Sequence, residues 1–208
     1  MCTFSIITTS SVRGRMVRYR TVAYGVVARR TQDDWTGVAL RALAEGGVAA
    51  VAVEPLAARL GATKGSAYWH FPNREALLKA TLERWERENT EAVTDILDSV
   101  PEPLDKLRLL FATVLENVED SAVELAMLAA KDHPAVAPVL ARVTDRRIGY
   151  LEELFGQLGF AAGVARQRAV LAYSVYLGQA QLLSSMPKVF KTRRALLDET
   201  LAVVMCRA

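Results

Sequence analysis

No stretch of the 208-residue chain approaches the roughly 18 consecutive apolar residues that cross a bilayer, the longest run being about the eight from Gly46 to Val53, so no membrane association is expected. The N-terminus, MCTFSIITTSSV, has neither the basic leader nor the long apolar centre of an export signal, which points to a cytoplasmic protein. Cysteine is nearly missing. Cys2 and Cys206 sit at the two ends, as suits unpaired thiols in a reducing compartment, and a disulfide framework is excluded. Neither His70 nor His133 has a second ligand at a metal-like spacing, so no metal is expected. No Gly-x-Ser-x-Gly nucleophile motif occurs, and GATKGS at 61–66 fails as a phosphate loop because Lys64 precedes the second glycine and no strand leads into it. Neither an enzymatic activity nor a cofactor is therefore expected. Strand-like alternation of useful length, internal repeats and low-complexity tracts are also lacking.

What remains is a chain with 51% hydrophobic residues, enough to bury a substantial core, and a pattern that reads as all-α. Net charge is only +3, but its distribution is uneven. Six of the 26 basic residues (Arg13, Arg15, Arg18, Arg20, Arg29 and Arg30) and none of the 23 acidic ones lie in 1–32, so 33–208 carries 20 against 23. This N-terminal extension has no helical stripe and fits three descriptions: a disordered or upstream-started segment, a basic arm lying on nucleic acid, or a packed strand. The first is the working expectation. Between 33 and 85 basic and acidic residues balance at six each, so a nucleic-acid surface there must come from the placement of charge.

Trp35, Val38, Ala39, Ala42 and Leu43 form one face of a helix from Asp33 to Glu45, stopped by Gly46-Gly47. A second helix spans Val53 to Leu60 and closes at Gly61. Thr63 then caps a short third helix, Lys64 to Phe71, which Pro72 ends. At 100° per residue, Ala67 and Phe71 point inward and Gly65, Ser66 and Trp69 outward, with Tyr68 and His70 on the flanks. The plainer alternatives are a core role for Trp69 and a structural hydrogen bond for His70. Three short helices with tight turns, the third exposing polar groups, make a helix-turn-helix unit whose third helix can enter a major groove.

A long helix from Arg74 to about Leu97 leads onward, and helices are predicted near 104–118, 121–131, 134–157, 164–186 and 193–205. The helix at 164–186 has two apolar stripes. Ala169, Ala172, Tyr173, Tyr176, Ala180 and Leu183 form one, and Leu171, Val175, Gly178 and Leu182 the other. Such a helix either crosses the core of a monomer or covers a core on one side and pairs with its copy on the other. Leu196, Leu197, Leu201 and Val204 of the last helix could complete a four-helix dimer seam.

The run GVAAVAVEPLAARLGATKGSAYWHFPNREALL, at 47–78, resembles the DNA-binding signature of the TetR family of transcriptional regulators, and the resemblance covers about 50 of the 208 residues. It implies a helix-turn-helix domain over 33–80 and a helical ligand-binding and dimerisation domain over 81–208. Thr63 and Tyr68 would then bind phosphates, with His70 beside the DNA backbone. Lys64, Ser66 and Trp69 would face the groove, Gly65 would let the backbone approach, and Arg74 would hold a phosphate. Two departures stand out: Ala52 replaces the usual Ser or Thr cap of the second helix, and the 1–32 extension is longer than the family needs.

The function so implied is a homodimeric repressor on a near-palindromic DNA operator, released by a small apolar or amphipathic effector. Trp85, Phe111, Met127, Tyr150 and Tyr173, large or polarisable side chains on apolar faces, are the candidate effector contacts, with core packing as the alternative for each. The rival reading is a helical ligand-binding or scaffolding dimer whose DNA-binding unit has degenerated, for which Ala52 is the hint.

Overall fold

Helices dominate the computed structural model, which describes residues 5–12, 15–22, 30–116, 121–186, 188–189 and 192–206. Helix α1 (Gln32–Ala50) starts at a capping box: Asp34 donates its backbone N–H to the Thr31 hydroxyl, and the Asp34 carboxylate accepts from Thr31 N at 2.8 Å. Its regular part ends at the expected glycines. Gly46 and Gly47 depart from helical geometry, and Gly47 has φ 67° and ψ −167°, a conformation that a side chain disfavours. Helix α2 (Val53–Leu60) ends on Gly61 in the left-handed conformation, and α3 (Lys64–His70) stops one residue before the predicted end.

Helix α4 (Arg74–Glu86) is one piece of a longer rod. A π-helical turn at Arg87–Glu91 follows it, and α5 (Ala92–Asp98) continues the path. Beyond lie α6 (Pro103–Glu116), α7 (Ser121–Ala129), α8 (Ala137–Gln157), α9 (Ala162–Ser185) and α10 (Arg193–Met205). Every helix predicted from the pattern is present, within the few residues by which helix ends blur. The body of the fold is all-α.

Within the N-terminal extension two described segments differ from expectation, while 1–4, 13–14 and 23–29 lie outside the described residues. Ser5–Val12 (β1) and Arg15–Val22 (β2) pair as an antiparallel ribbon with Ser5 opposite Val22 and Val12 opposite Arg15, so this part is strand and not an unstructured arm. Its mixture of β-branched and polar residues suits a ribbon, but the alternation is too irregular to have been read as one. The helical unit also begins earlier than residue 33, since Thr31 caps α1 and Arg30 donates from Nε to the Leu60 carbonyl.

Two apolar clusters hold the helices. One gathers Trp35, Leu43, Leu56, Ala67, Phe71, Leu77 and Trp85 with Met127 of α7 and Val139 and Val143 of α8. The helix-turn-helix unit and the regulatory helices therefore share a core, which the boundary placed at residue 80 divides in sequence only. The other joins α6, α8, α9 and α10 around Leu107, Phe111, Leu154, Phe155, Ala169 and Val204. Leu197 and Leu201, half-buried, pack on this cluster beside the buried Val204.

Ala52 occupies the N-cap of α2 in extended geometry with no side-chain hydrogen bond. Replacing Ala52 by Ser supplies the missing acceptor and should raise stability by about 0.5–2 kcal/mol in urea unfolding, whereas Gly47→Ala should lower it.

Candidate nucleic-acid interface and effector cavity

Helix α3 is held by its inner face. Ala67 and Phe71 are buried, and the Thr63 hydroxyl accepts from Ser66 N at 3.3 Å, fixing the first turn. Opposite them, Trp69 is 70% exposed and Tyr68 51%, the two large aromatics of the outer face, while Ser66 is half-buried. Gly65 is exposed, and a Cβ there would meet only the Thr63 hydroxyl at 3.8 Å. Nothing inside the chain requires that glycine.

The basic groups around α3 are engaged within the chain. Lys64 forms an ion pair with Glu54 of α2, which raises the lysine pKa and lowers that of the glutamate through their hydrogen bond. His70 Nε2 lies 2.7 Å from the Arg30 carbonyl, which can only accept, so Nε2 carries the proton and ties α3 to the entry of α1. Arg74, at the start of α4, donates from Nε to Val51 O at 2.7 Å and from Nη2 to Val48 O at 2.6 Å, with Glu75 on Nη1. Three of the five guanidinium N–H groups thus clamp the turn between α1 and α2 or pair with a neighbour. Asn73 caps α4 by accepting from Ala76 N at 2.8 Å.

A cavity of about 220 Å³ lies beside the π-helical turn, bounded by α4, α5, α6, α7, α8 and α9. Trp85, Phe111, Tyr150 and Tyr173, four of the five candidate effector contacts, line it. Met127 does not. It is fully buried in the cluster shared with the DNA-binding unit, where its flexible thioether fills the space between α7 and α1.

Besides Tyr150 and Tyr173, the polar part of this cavity includes Glu124, Arg147 and Tyr176, none of them among the candidate effector contacts. Glu124, 1% exposed, accepts from Tyr173 Oη at 2.7 Å, Tyr176 Oη at 2.5 Å and Arg147 Nη1 at 2.8 Å. Arg147 also donates to the Asn89 carbonyl at 2.9 Å and to Thr90 Oγ1 at 3.2 Å, both in the π-helical turn. Burial works against the charged form of Arg147, but Glu124 outweighs it and the pKa stays above the ordinary value. Burial followed by the Glu124 charge pushes Tyr173 up to about 12 and Tyr176 higher still, so both hydroxyls remain donors at neutral pH. The one available signal was an acid inside the apolar run AVELAMLAA, a place where a carboxylate persists only with partners.

Residues 37–81 match the model of the bacterial regulatory proteins of the tetR family. The helix-turn-helix unit belongs to the TetR family. No curated protein matches the chain. Among solved structures, it is similar to a protein of Saccharomonospora viridis, described as a transcriptional regulator and determined with choline, at 16% identity and TM-score 0.73 over 84% of this chain and 95% of that one. A protein described as a TetR-family regulator from Rhodococcus sp. is similar at 20% identity and TM-score 0.67, covering 84% and 98%. NalD of Pseudomonas aeruginosa, the secondary repressor of the MexAB-OprM multidrug efflux pump, is similar at 18% identity and TM-score 0.64, covering 84% and 93%. At these identities the likeness shows the fold, which here extends beyond the TetR-matched residues into the regulatory helices. A TetR-family fold supports a DNA-binding regulator. Among the described residues no helix is long and apolar enough to cross a membrane, and no cluster of three His, Cys, Asp or Glu could hold a metal ion.

The Glu124–Arg147 pair joins α7 to α8. Arg147→Met leaves the Glu124 carboxylate buried without its counter-charge and should lower urea-unfolding stability by about 3–5 kcal/mol. The double variant Glu124→Gln/Arg147→Met removes both charges and should recover much of that loss.

Proposed function

We propose that the protein is a ligand-responsive transcriptional repressor that binds a near-palindromic operator as a homodimer and leaves it when a small molecule occupies the cavity. The observation that carries this reading is α3, anchored by Ala67 and Phe71 and presenting Tyr68 and Trp69 to solvent, within a family whose signature it matches. Thr63 and Tyr68 contact phosphates through their hydroxyls, and His70 lies beside the backbone. Ser66 and Trp69 face base edges, Lys64 borders the groove, and Gly65 admits the DNA backbone closely. Arg74 acts chiefly by holding the turn that orients α2 against α3, with two N–H groups left for a phosphate.

Self-association is supported by α9. Its second stripe is open in the single chain, with Leu171 and Leu182 each 42% exposed and Gly178 exposed between them, so the helix is buried on one side only. Val164 and Val170 on α9 and Val203 on α10 add to the exposed apolar surface. Pairing of this face with its copy would set two α3 helices roughly 34–36 Å apart, one turn of DNA. The cavity is bounded by the rod that begins at α4, so an effector with different affinities for two settings of that rod shifts their populations and changes the spacing.

Gel-shift titration against the DNA flanking its own gene tests the reading. Tight binding to one site with a steep salt dependence is expected, and absence of any site above background at low salt would favour the degenerate DNA-binding unit. Tyr68→Ala should weaken all sequences alike, by roughly three- to tenfold. Trp69→Ala should change which operator is preferred, since an indole reads a thymine methyl or the groove wall. In light scattering, Leu171→Asp combined with Leu182→Asp should yield a monomer that has lost tight operator binding.

A further inference from the structure

The charges that line the cavity are matched within the chain. Glu124 pairs with Arg147 at 2.8 Å, Glu88 with Arg84 at 2.7 Å and Arg146 with Glu91 at 2.9 Å. Much of the remaining wall is apolar or aromatic, with Trp85, Leu97, Leu110, Phe111, Leu151 and Ala172, so the interior suits an uncharged hydrocarbon body. Its volume, about 220 Å³, exceeds the ~150 Å³ that admits benzene and suits about ten non-hydrogen atoms.

Beside the cavity the balance of charge changes. Thr94, Arg146 and Tyr150 also line an open depression between the π-helical turn, α5 and α8, completed by Glu91, Asp95, Asp145, Gly149 and Glu153. Arg146 takes up Glu91, but Asp95, Asp145 and Glu153 are exposed and form no ion pair among the described residues. Carboxylates from two helices gathered in one groove repel each other, and low-dielectric walls focus their field on whatever enters. Gly149 stands between Asp145 and Glu153, one helical turn from each, and keeps the groove open. Glycine inside a helix is less favourable than alanine, and a Cβ there would meet nothing within 4 Å, so no packing contact in the chain calls for it. Tyr150 marks the junction: its hydroxyl donates to Asp98 at 3.1 Å, which steadies the ring as a wall common to both spaces.

We propose that the effector is an amphiphilic organic cation whose apolar body fills the cavity and whose ammonium or guanidinium group rests in the depression among Asp95, Asp145 and Glu153, beside the Tyr150 ring. This rests on the cavity being the effector site. The cavity holds the body, and the carboxylates at its edge select the charge. A carboxylate on the same body is repelled there, and a neutral compound gains nothing beyond its burial.

Four probes test this by calorimetry on the full chain at low ionic strength: 4-phenylbutylammonium, 4-phenylbutan-1-ol, 4-phenylbutanoate and n-butylammonium. The phenylbutyl cation is expected to bind roughly five- to tenfold more tightly than the alcohol, and the carboxylate more weakly than the alcohol. Salt at about 0.5 M should shrink both differences, a readout in the wild-type chain that serves even if a variant fails to fold. n-Butylammonium, which has the charge without the ring, should bind at least roughly tenfold more weakly than the phenylbutyl cation. The variant Asp95→Asn/Asp145→Asn/Glu153→Gln alters exposed side chains only and should bring the cation down to the affinity of the alcohol, leaving the alcohol unchanged. Asp198→Asn/Glu199→Gln, on α10, should change neither. Equal binding of the cation and the alcohol, tightest binding of the carboxylate, n-butylammonium binding as well as the phenylbutyl cation, or a cation preference that survives the triple variant overturns the charge assignment while the cavity remains a ligand site. If no phenylbutyl probe binds, the effector-site reading falls and this inference with it.

Discussion

The buried pair of Glu124 and Arg147 is the contact on which the regulatory helices depend. Taking two charges out of water costs several kcal/mol each unless the geometry returns it, and here each ion is surrounded by partners. Glu124 stands on α7, Arg147 on α8, and the tyrosines that donate to the carboxylate on α9. Through Asn89 O and Thr90 Oγ1 the same guanidinium reaches the π-helical turn. Four elements are thus fixed around one salt bridge by directional bonds. Space remains beside them because hydrogen-bonded groups hold their distances where apolar side chains would collapse together. The cavity follows from the polar cluster.

That cluster also joins the cavity to the DNA-binding unit. Trp85 belongs to the apolar cluster that contains Trp35, Leu43 and Leu56, and it also lines the cavity. At the other end of the same helix, Arg74 grips the carbonyls of Val48 and Val51, the turn against which α2 and α3 are set. One apolar cluster therefore runs from Trp85 beside the cavity along α4 to Ala67 and Phe71 on the inner face of α3. Between α4 and α5 the π-helical turn differs from an α-helix by one residue of register, the kind of local choice often found at functional sites. Arg142 and Arg146 reinforce it from α8, the first on Glu86 at 2.5 Å and the second on Glu91 at 2.9 Å. Hydrogen bonding of Arg142 holds the Glu86 carboxyl below its ordinary pKa, so this brace is present at neutral pH and is lost only as the medium becomes acidic enough to protonate it.

Much of this was legible in the residues because it depends on local rules. Caps at Thr63 and glycine stops at Gly46, Gly47 and Gly61 are short-range chemistry, and the faces of α3 follow from a 100° rotation. Trp85, Phe111, Tyr150 and Tyr173 were recognisable as large side chains on apolar faces, but Met127 fits that description equally and lies in the other core. Only the crossing of α7 over α1 separates the two cases. The polar cluster was illegible for the same reason: Glu124 and Arg147 are 23 residues apart, and Asn89 another 58 from the arginine. The hold of Arg74 on the turn is not legible because its partners are main-chain carbonyls, which leave no trace in residue identity. The ribbon at β1 and β2 is only one of three descriptions that residues 1–32 allow, because its alternation is imperfect and strand pairing is specified between segments, not within one.

The internal use of charge around α3 constrains how the proposed repressor would hold an operator. Lys64 is neutralised by Glu54, Arg59 by Glu45 and Lys79 by Glu83, while Arg74 faces the turn behind it. Counterion release scales with the number of phosphates met by cations, so helices whose cations are already paired contribute little to non-specific affinity. Hydroxyls at Thr63 and Tyr68 and the main-chain N–H groups at helix starts can position phosphates without adding charge. In the proposed repressor, discrimination would rest on the exposed indole of Trp69 and the groove shape it meets. The positive charge that the helices lack is concentrated in the six arginines of residues 1–32. In the proposed repressor, charge for attraction and contacts for reading would therefore be carried by different parts of the chain.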